Sequence, residues 1–202
     1  LAERVQEVAQ DCPGAPFAWV ADTYSDLHKN VIPSLIDGLA LLGWEHGTHY
    51  VINQEPPEEW RLRMYNICTD WRNTMVFFTG FNFTFISLDR LAIGAGRSFV
   101  GIFGDEVKYF PEEKFTNLLK AVRGFYVKYG ESVWYRSRTL TTDMPNPNHL
   151  GEHDWILKMG KQNDKQKIML ALKAGLVYNE TKKTYVSHLQ EYEELRRAFR
   201  TD

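Results

Sequence analysis

The stretch that decides the fold is Ser98-Phe99-Val100-Gly101-Ile102-Phe103-Gly104-Asp105-Glu106, a short apolar run that ends in two adjacent acids. An apolar run of this length, bounded by glycine, is typical of a strand buried on both faces, as in a parallel sheet. Ligands of such sheets bind at the carboxyl ends of the strands. We therefore expect Asp105 and Glu106 to lie at a functional edge of the sheet.

The chemistry of these two acids matches the Walker B element of P-loop ATPases. Asp105 can hold a hydrated magnesium ion through its water shell, because Mg²⁺ keeps several waters and binds through one or two carboxylates plus substrate phosphates. Strand alternation predicts that Glu106 points the other way, where it can orient or deprotonate an attacking water. Strand ends with acids are common, however, so a solvated strand end is the simpler alternative.

Composition limits the class of protein. The chain has 202 residues, 44% of them hydrophobic, which is enough for a sizeable core in one or two domains. The net charge of -2 does not indicate a polyanion partner for the protein as a whole. Two cysteines, Cys12 and Cys68, form no framework of disulfides and fit a reducing compartment. No apolar run is long enough for a membrane span, and no signal peptide is recognisable.

The order of the predicted elements indicates an α/β domain with a mainly parallel sheet flanked by helices. A helix ends near residue 11, and a second amphipathic helix covers residues 25–42, either kinked at Pro33 or restarted there. Later helices are predicted from Pro111 to Gly124, over residues 164–176 and over 186–200. Strands are predicted at residues 17–20, 49–53, 74–79, 82–87, 98–104 and 133–140, with 74–79 and 82–87 as a hairpin.

A second polar cluster follows the last predicted strand, in the order Thr141-Thr142-Asp143. Because the carboxyl ends of parallel strands meet at one edge, this cluster should lie beside Asp105 and Glu106.

The phosphate-binding loop of a P-loop protein is missing from the sequence. No Gly-x-x-x-x-Gly-Lys-[Ser/Thr] occurs between Leu1 and Asp202. Gly94-Ala95-Gly96-Arg97-Ser98 does not replace it, because that segment precedes a strand and has no lysine. The chain also begins without Met in what is typical of a helix, which we interpret as the tail of a longer helix and a truncated N-terminus.

Two histidine spacings and one basic set raise other functions. His46-x-x-His49 and His149-x-x-x-His153, the latter with Glu152 and Asp154, have ligand spacing only on a helix, and Pro145, Pro147 and Gly151 argue for a loop. The basic residues that can contact a phosphate backbone are Lys108, Arg123, Lys128, Arg136 and Arg138, interleaved with Tyr109, Tyr126, Tyr129, Trp134 and Tyr135. A solvated face is the alternative for this set.

The chain resembles the ATPase domain of tailed-phage terminase large subunits, the motors that package DNA into a capsid. The similarity covers about Leu1 to Lys158 and rests on the order of five pieces. They are Cys12-Pro13-Gly14-Ala15-Pro16-Phe17-Ala18-Trp19-Val20-Ala21-Asp22-Thr23-Tyr24, the hairpin with Ser87-Leu88-Asp89-Arg90, Gly101 to Tyr109, Thr141-Thr142-Asp143-Met144-Pro145, and Asp154-Trp155.

The resemblance implies a RecA-type (ASCE) P-loop NTPase core at 1–158, with a helical extension at 159–202. It implies ATP and Mg²⁺ as cofactors, Asp105 as the Walker B magnesium residue and Glu106 as the catalytic glutamate. Thr141 and Thr142 fall at the family's coupling motif, and Arg97, or as second choice Arg90, at the position of an arginine finger that reaches the neighbouring subunit's nucleotide. The family's Walker A loop would lie just before the helix that Leu1 continues, and its nuclease domain after this chain.

The implied function is Mg-ATP hydrolysis coupled to translocation of double-stranded DNA into the procapsid, although this fragment alone is expected to be inactive. The implied partners are double-stranded DNA, the portal protein, the small terminase subunit and further copies in a ring on the portal, in the host bacterial cytoplasm with no membrane. Two alternatives stay open: a degenerate, non-catalytic P-loop module that docks to DNA, portal or small subunit, and a metal-dependent hydrolase using His149, Glu152 and His153.

Overall fold

The structure, a computed structural model, describes residues 1–66, 69–89, 96–146, 148–160 and 164–198. The chain divides into two compact units, Leu1–Ile156 and Leu157–Asp202. In the described residues, no helix is both long enough and apolar enough to cross a lipid bilayer.

The first unit alternates strands and helices, and the second is helical. The helices are α1 (Ala2–Asp11), α2 (Tyr24–Asp26), α3 (Ile32–Leu41), α4 (Glu58–Arg63), α5 (Glu112–Leu119), α6 (Tyr126–Tyr129), α7 (Trp155–Met159) and α8 (Lys165–Ala198). The strands are β1 (Pro16–Ala21), β2 (Tyr50–Ile52), β3 (Thr74–Phe77), β4 (Asn82–Ser87), β5 (Ile102–Gly104) and β6 (Arg138–Leu140). A π-helical turn at Leu27–Val31 joins α2 to α3, and a 3-10 turn covers Val107–Tyr109.

The strands form a six-stranded mixed sheet in the order β2-β3-β4-β1-β5-β6. The β4-β1, β1-β5 and β5-β6 pairs are parallel, whereas β3 is antiparallel to both β2 and β4. Only β3 therefore runs against the other strands, and the prediction of an α/β domain with a mainly parallel sheet flanked by helices is confirmed. The carboxyl ends of β4, β1, β5 and β6 lie side by side.

An aromatic core under α1 and α3 fixes this face of the sheet. The Trp19 ring stacks on Phe103 at 5.5 Å and meets Phe83 edge-on at 5.1 Å. These rings share one buried cluster with Val5 of α1 and Leu35 of α3. The alternation of strand residues explains the pattern, since every second side chain of β1 faces the two helices.

Gly38 lets α1 and α3 approach closely. A Cβ on Gly38 would lie 2.7 Å from the Cβ of Ala2, which is closer than two non-bonded carbon atoms normally approach. Glycine at this position therefore permits the close approach of the amino end of α1 to α3.

Several predicted elements are confirmed, among them α1, β1, β2 and the antiparallel hairpin of β3 and β4, whereas the helix predicted from Pro111 to Gly124 is α5, which ends at Leu119. The chain is helical without a break from Tyr24 to Leu41, so the restart predicted as one alternative for Pro33 is wrong. The π-helical turn at Leu27–Val31, directly before Pro33, is the irregularity that goes with the proline, as the alternative of a distorted single helix predicts.

Other predictions are wrong in extent or type. The strand predicted at 133–140 is only β6, because residues 131–136 form turns in which Arg136 takes a positive φ of 58°. The helices predicted at 164–176 and 186–200 are one continuous helix, α8, since no proline or capping glycine interrupts the segment between them. Helix α4 was not predicted, although Pro57, the acids Glu58 and Glu59 in its first turn, and Arg61 and Arg63 in its last turn are typical helix-end signals.

Candidate functional site

The polar residues that follow the four parallel strands meet at one edge of the sheet. After β1 and β4, the Ser87 hydroxyl donates a hydrogen bond of 3.0 Å to the carbonyl oxygen of Asp22, and the Asp89 amide donates one of 3.1 Å to the same oxygen. After β5 and β6, the Thr141 hydroxyl donates to Oδ1 of Asp105 at 2.6 Å. The neighbourhood that the strand-end pattern predicted is therefore present.

The Asp105 carboxylate is oriented by hydrogen bonds from the strand end after β6 and from its own turn. Its Oδ1 also accepts the amide N–H of Glu106 at 3.0 Å, and the Val107 amide donates to the carbonyl oxygen of Thr141 at 3.2 Å. The Asp105 side chain is only half-buried. A carboxylate that is oriented in this way and still reaches solvent fits a hydrated Mg²⁺.

Glu106 does not follow the alternation of the strand. Strand β5 ends at Gly104, and Glu106 takes a left-handed conformation with φ 54°, so the prediction that alternation orients its side chain is wrong. Partial desolvation raises the pKa of the Glu106 carboxyl, although its side chain is 54% exposed; Lys108 opposes the rise, and Asp143, Asp105 and Glu152 add to it. Perturbed carboxyls and sparsely populated backbone conformations cluster at functional sites, which makes Glu106 a candidate acid or base.

Lys108 connects Glu106 to the loops that follow β6. Its ammonium pairs with the Asp143 carboxylate and lies 3.8 Å from Oε2 of Glu106 and 3.8 Å from Oε1 of Glu152. The pKa of Lys108 is raised, first by the hydrogen bond to Asp143. Lys108 is 8% exposed, so its predicted role as a surface contact for phosphates is wrong. With its ammonium among three carboxylates, Lys108 links the segments that carry Glu106, Asp143 and Glu152.

Thr142 completes the connection between the two strand ends. Its hydroxyl accepts the backbone N–H of Lys108 at 3.2 Å. The amide of His153 donates to the carbonyl oxygen of Lys108 at 2.6 Å. The turn after β5, the turn after β6 and the loop before α7 are thus joined at one residue.

The histidines and acids of the 146–154 loop do not form a metal centre. The Glu152 side chain is 8% exposed and accepts the Asn146 amide at 2.6 Å, which lowers its pKa, with further lowering by Lys108 and His149. His149 Nδ1 lies 3.4 Å from Glu152 Oε1. Within the described residues, no three His, Cys, Asp or Glu side chains are arranged to hold a metal ion directly.

The other histidine spacing has structural contacts as well. His49 Nδ1 accepts the amide of Glu45 at 3.0 Å, and its ring stacks on Trp44. The His46 ring meets Tyr50 edge-on at 5.7 Å. Nδ1 of His49 is therefore engaged by the backbone, and both rings pack against aromatic neighbours.

A cavity of about 370 Å³ lies between the amino end of α1, helix α3 and the ends of β5 and β6. Its lining includes Leu1, which precedes α1, Ala2 of α1, Ser34 of α3, and Asp105 and Thr141. The cavity therefore brings the beginning of α1 close to the carboxylate that fits magnesium.

Trp19 also lines this cavity, and its indole Nε1 is buried without a hydrogen-bond partner. An unpaired buried donor costs about 1–3 kcal/mol, and a water or a ligand atom in the cavity would satisfy it. Sequence reasoning missed Trp19, because a tryptophan in a buried strand gives no functional signal.

The structure places Arg97 elsewhere. It lines a separate cavity of about 330 Å³ together with Tyr24, Asp70, Arg72, Asn73 and Phe85. The neighbouring Arg72 forms a two-pronged ion pair with Asp70, which lowers the pKa of Asp70 to about 2. Arg97 is therefore not brought to Asp105 within this chain, and Arg90, the second choice, lies outside the described residues.

Asp22 is a further acid at the edge that sequence reasoning did not select. Burial raises its pKa, with Asp26 and Asp89 adding to the rise and Lys114 and His153 opposing it. Its position directly after β1 was the available signal, since the same argument selected Asp105 after β5.

No protein-family model matches the chain, and no curated protein matches it in sequence. The class that fold and edge define is thus an α/β protein with a mixed sheet and a polar cluster at the carboxyl ends of its parallel strands.

Proposed function

We propose that this chain is part of a magnesium-dependent ATPase of the P-loop type, resembling the motor domain of phage terminase large subunits. The observation that carries the proposal is the cavity shared by the amino end of α1, Asp105 and Thr141. A phosphate loop before the helix that α1 continues would bring phosphates to this edge of the sheet, beside the carboxylate that suits their magnesium ion.

The free side of β6 supports the same arrangement. β6 is the last strand of the sheet within the described residues, and its side chains are half-buried or exposed, whereas those of β1, β3 and β5 are buried. An edge strand of this kind offers unpaired N–H and C=O groups to a further strand. A strand that precedes a phosphate loop can pair there.

The residues of the site suit distinct tasks in hydrolysis. A bound magnesium ion would neutralise charge on the phosphates of the nucleotide. Asp105, oriented by Thr141, would hold the water shell of that ion. Glu106 would take a proton from the attacking water, for which a raised pKa is suitable.

Lys108 would keep the Glu106 carboxylate outside the cavity until nucleotide binds. The Glu106 carboxylate lies 3.8 Å from the Lys108 ammonium, and Glu106 is not among the residues that line the cavity. Rotation of the Glu106 side chain towards the cavity would move its carboxylate away from the Lys108 ammonium. The ammonium would remain paired with Asp143 and close to Glu152. Because the backbone of Lys108 also bonds Thr142 and His153, a change at the nucleotide would shift Thr142 and the loop before α7. This agrees with the coupling role that the resemblance implies for Thr141 and Thr142.

In the intact protein, by resemblance, hydrolysis would drive double-stranded DNA through a portal, with a small terminase subunit and further copies of the chain in a ring in the host cytoplasm. Arg97, in its separate cavity, would then reach a neighbouring subunit. The second candidate, a non-catalytic module that docks to DNA, portal or small subunit, is favoured by one feature: the sequence has no phosphate loop.

Nucleotide binding by the natural protein, including any residues its gene encodes before Leu1, separates the two candidates. We expect a fluorescent ATP analogue to bind in the presence of Mg²⁺ and Asp105→Asn to weaken that binding. Asp37→Asn, on α3, serves as the control acid. Binding that is absent, or that is indifferent to Mg²⁺ and to Asp105→Asn, would leave the docking module.

A further inference from the structure

The segment of residues 120–138 has an excess of basic residues, although the chain as a whole has a net negative charge. Its charged residues are Lys120, Arg123, Lys128, Arg136 and Arg138 against the single acid Glu131. The segment has a net charge of +4, although the whole chain has -2, so the remaining residues carry -6. A local charge of this sign attracts polyanions even where the net charge of the protein does not.

All five basic side chains of this segment are exposed. None of them forms an ion pair with an acid in the part of the chain that the structure describes. Lys120 donates to Asn117 Oδ1 at 2.7 Å, and the Lys128 ammonium lies over the rings of Tyr65 and Tyr129 at 5.4 and 5.3 Å. These cations are thus available to an external anion.

Aromatic rings lie among these cations. The Tyr135 hydroxyl donates to the carbonyl oxygen of Arg123 at 3.3 Å, and the Tyr135 ring meets Tyr126 at 5.7 Å. On the other side, Tyr65 contacts Phe125 at 4.9 Å and lies under Lys128. Tyr126 is 69% exposed and the adjacent Val127 is 97% exposed, which is unusual for large apolar side chains beside a folded core.

Arg136 occupies a backbone position that favours glycine. Its φ of 58° lies in the left-handed region, where a side chain costs free energy that glycine avoids. The guanidinium has no ion-pair partner in the described residues that would offset this cost. Arg136 therefore carries an exposed charge that no acid in the described residues neutralises.

We propose that the surface formed by Tyr65, Arg123, Tyr126, Lys128 and Arg136 binds the phosphate backbone of double-stranded DNA. The identity of the polyanion as DNA rests on the proposed function, whereas the surface itself rests on charge and exposure. Arginine and lysine side chains contact phosphates regardless of base sequence, so binding is independent of sequence and weakens as salt is added.

The test is fluorescence anisotropy with a labelled DNA duplex and the natural full-length protein without nucleotide, over a series of salt concentrations. The triple variant Arg123→Glu, Lys128→Glu, Arg136→Glu is expected to lower the affinity on the order of tenfold or more. The slope of log K against log salt should become shallower by about 0.9 for each phosphate that the variant no longer neutralises. The matched control Lys29→Glu, Lys173→Glu, Lys182→Glu changes the net charge equally at exposed positions outside the segment and should bind as the wild type does.

A milder variant separates binding from folding. Arg136→Gly removes the charge and relieves the left-handed backbone, so we expect equal or higher thermal stability together with weaker DNA binding. Unchanged affinity in both variants, equal loss in the control, or preference for single-stranded DNA would each overturn the assignment. The DNA-binding assay contains no nucleotide, so the two proposals can fail separately. If the variants bind DNA as the wild type does but the protein hydrolyses ATP, the ATPase proposal still holds. If the protein binds DNA through this surface but does not hydrolyse ATP, the assignment of the surface still holds.

Discussion

The Thr141 hydroxyl donates a hydrogen bond of 2.6 Å to Oδ1 of Asp105, and so joins the end of β6 to the end of β5. The two residues are 36 positions apart in sequence. The parallel pairing of Phe103 with Thr139 and of Gly104 with Leu140 brings them together. The carboxylate that would hold the water shell of magnesium is therefore oriented in part by Thr141, which the resemblance assigns to coupling.

Thr141→Val tests this hydrogen bond, because valine has the shape of threonine without the hydroxyl. We expect the free energy of unfolding to fall by about 0.5–1.5 kcal/mol, measured by denaturant titration. Thr141→Ser keeps the donor and should lose less. A serine variant as unstable as the valine variant would show that the methyl group, and not the bond to Asp105, matters here.

Lys108→Gln tests the tie among the three carboxylates. The folded-state pKa of Glu152 is lowered, so its contribution to stability is present above its unfolded pKa and is lost as the pH falls through the folded pKa. Part of this contribution comes from Lys108. We expect the variant to lower Tm at pH 7 and to lower it less at pH 4, where carboxylates begin to protonate. Lys29→Gln, at an exposed position, is the control. An equal loss at both pH values would contradict the electrostatic role.

Glu106→Gln should have the opposite dependence. The folded-state pKa of Glu106 is raised, so the protonated form is favoured in the fold, and the stability it contributes below the unfolded pKa is lost as the pH rises through the folded pKa. At pH 7 the ionised carboxyl therefore opposes folding, and the neutral glutamine should raise Tm relative to the wild type. At pH 4 the difference should shrink. A glutamine variant that is less stable at pH 7 than at pH 4, relative to wild type, would contradict the assigned direction.

Gly38→Ala tests the close contact that places α1. The new Cβ would meet Ala2 at 2.7 Å, so α1 must shift, and overpacking of this kind costs about 1–3 kcal/mol. Gly175→Ala in α8 is the matched control, because its Cβ meets nothing within 4 Å. There, alanine should stabilise the helix by up to about 1 kcal/mol. Calorimetric unfolding of both variants measures the contrast, and a neutral or stabilising Gly38→Ala would contradict the close packing.

The sequence predicted the parts of the site that depend on short-range patterns. The apolar run before Asp105 and the polar residues after it place a strand end, and the same logic placed Thr141 beside it. The hairpin was predictable because β-branched and aromatic residues alternate around Gly80. These signals lie within a few residues of the features they predict.

Long-range contacts account for what was missed. Lys108 looked like one more surface cation, because nothing in its immediate sequence shows that Asp143 and Glu152 lie close to it in the fold. Glu106 looked like a strand residue, but its left-handed turn depends on where β5 stops pairing with β6. The sequence 133–135 looked like a strand, whereas the turns and the positive φ of Arg136 delay β6 to Arg138.

The most direct test of the central claim is ATP hydrolysis by the natural full-length protein and its Glu106→Gln variant, with Glu113→Gln on α5 as the control acid. We predict that Glu106→Gln lowers turnover by about 10²- to 10⁴-fold, the range for loss of a general base, while the binding of Mg-ATP is retained. Glu113→Gln should hydrolyse ATP as the wild type does. Wild-type turnover in Glu106→Gln would contradict the assignment of Glu106 and of the edge of the sheet as an ATPase site.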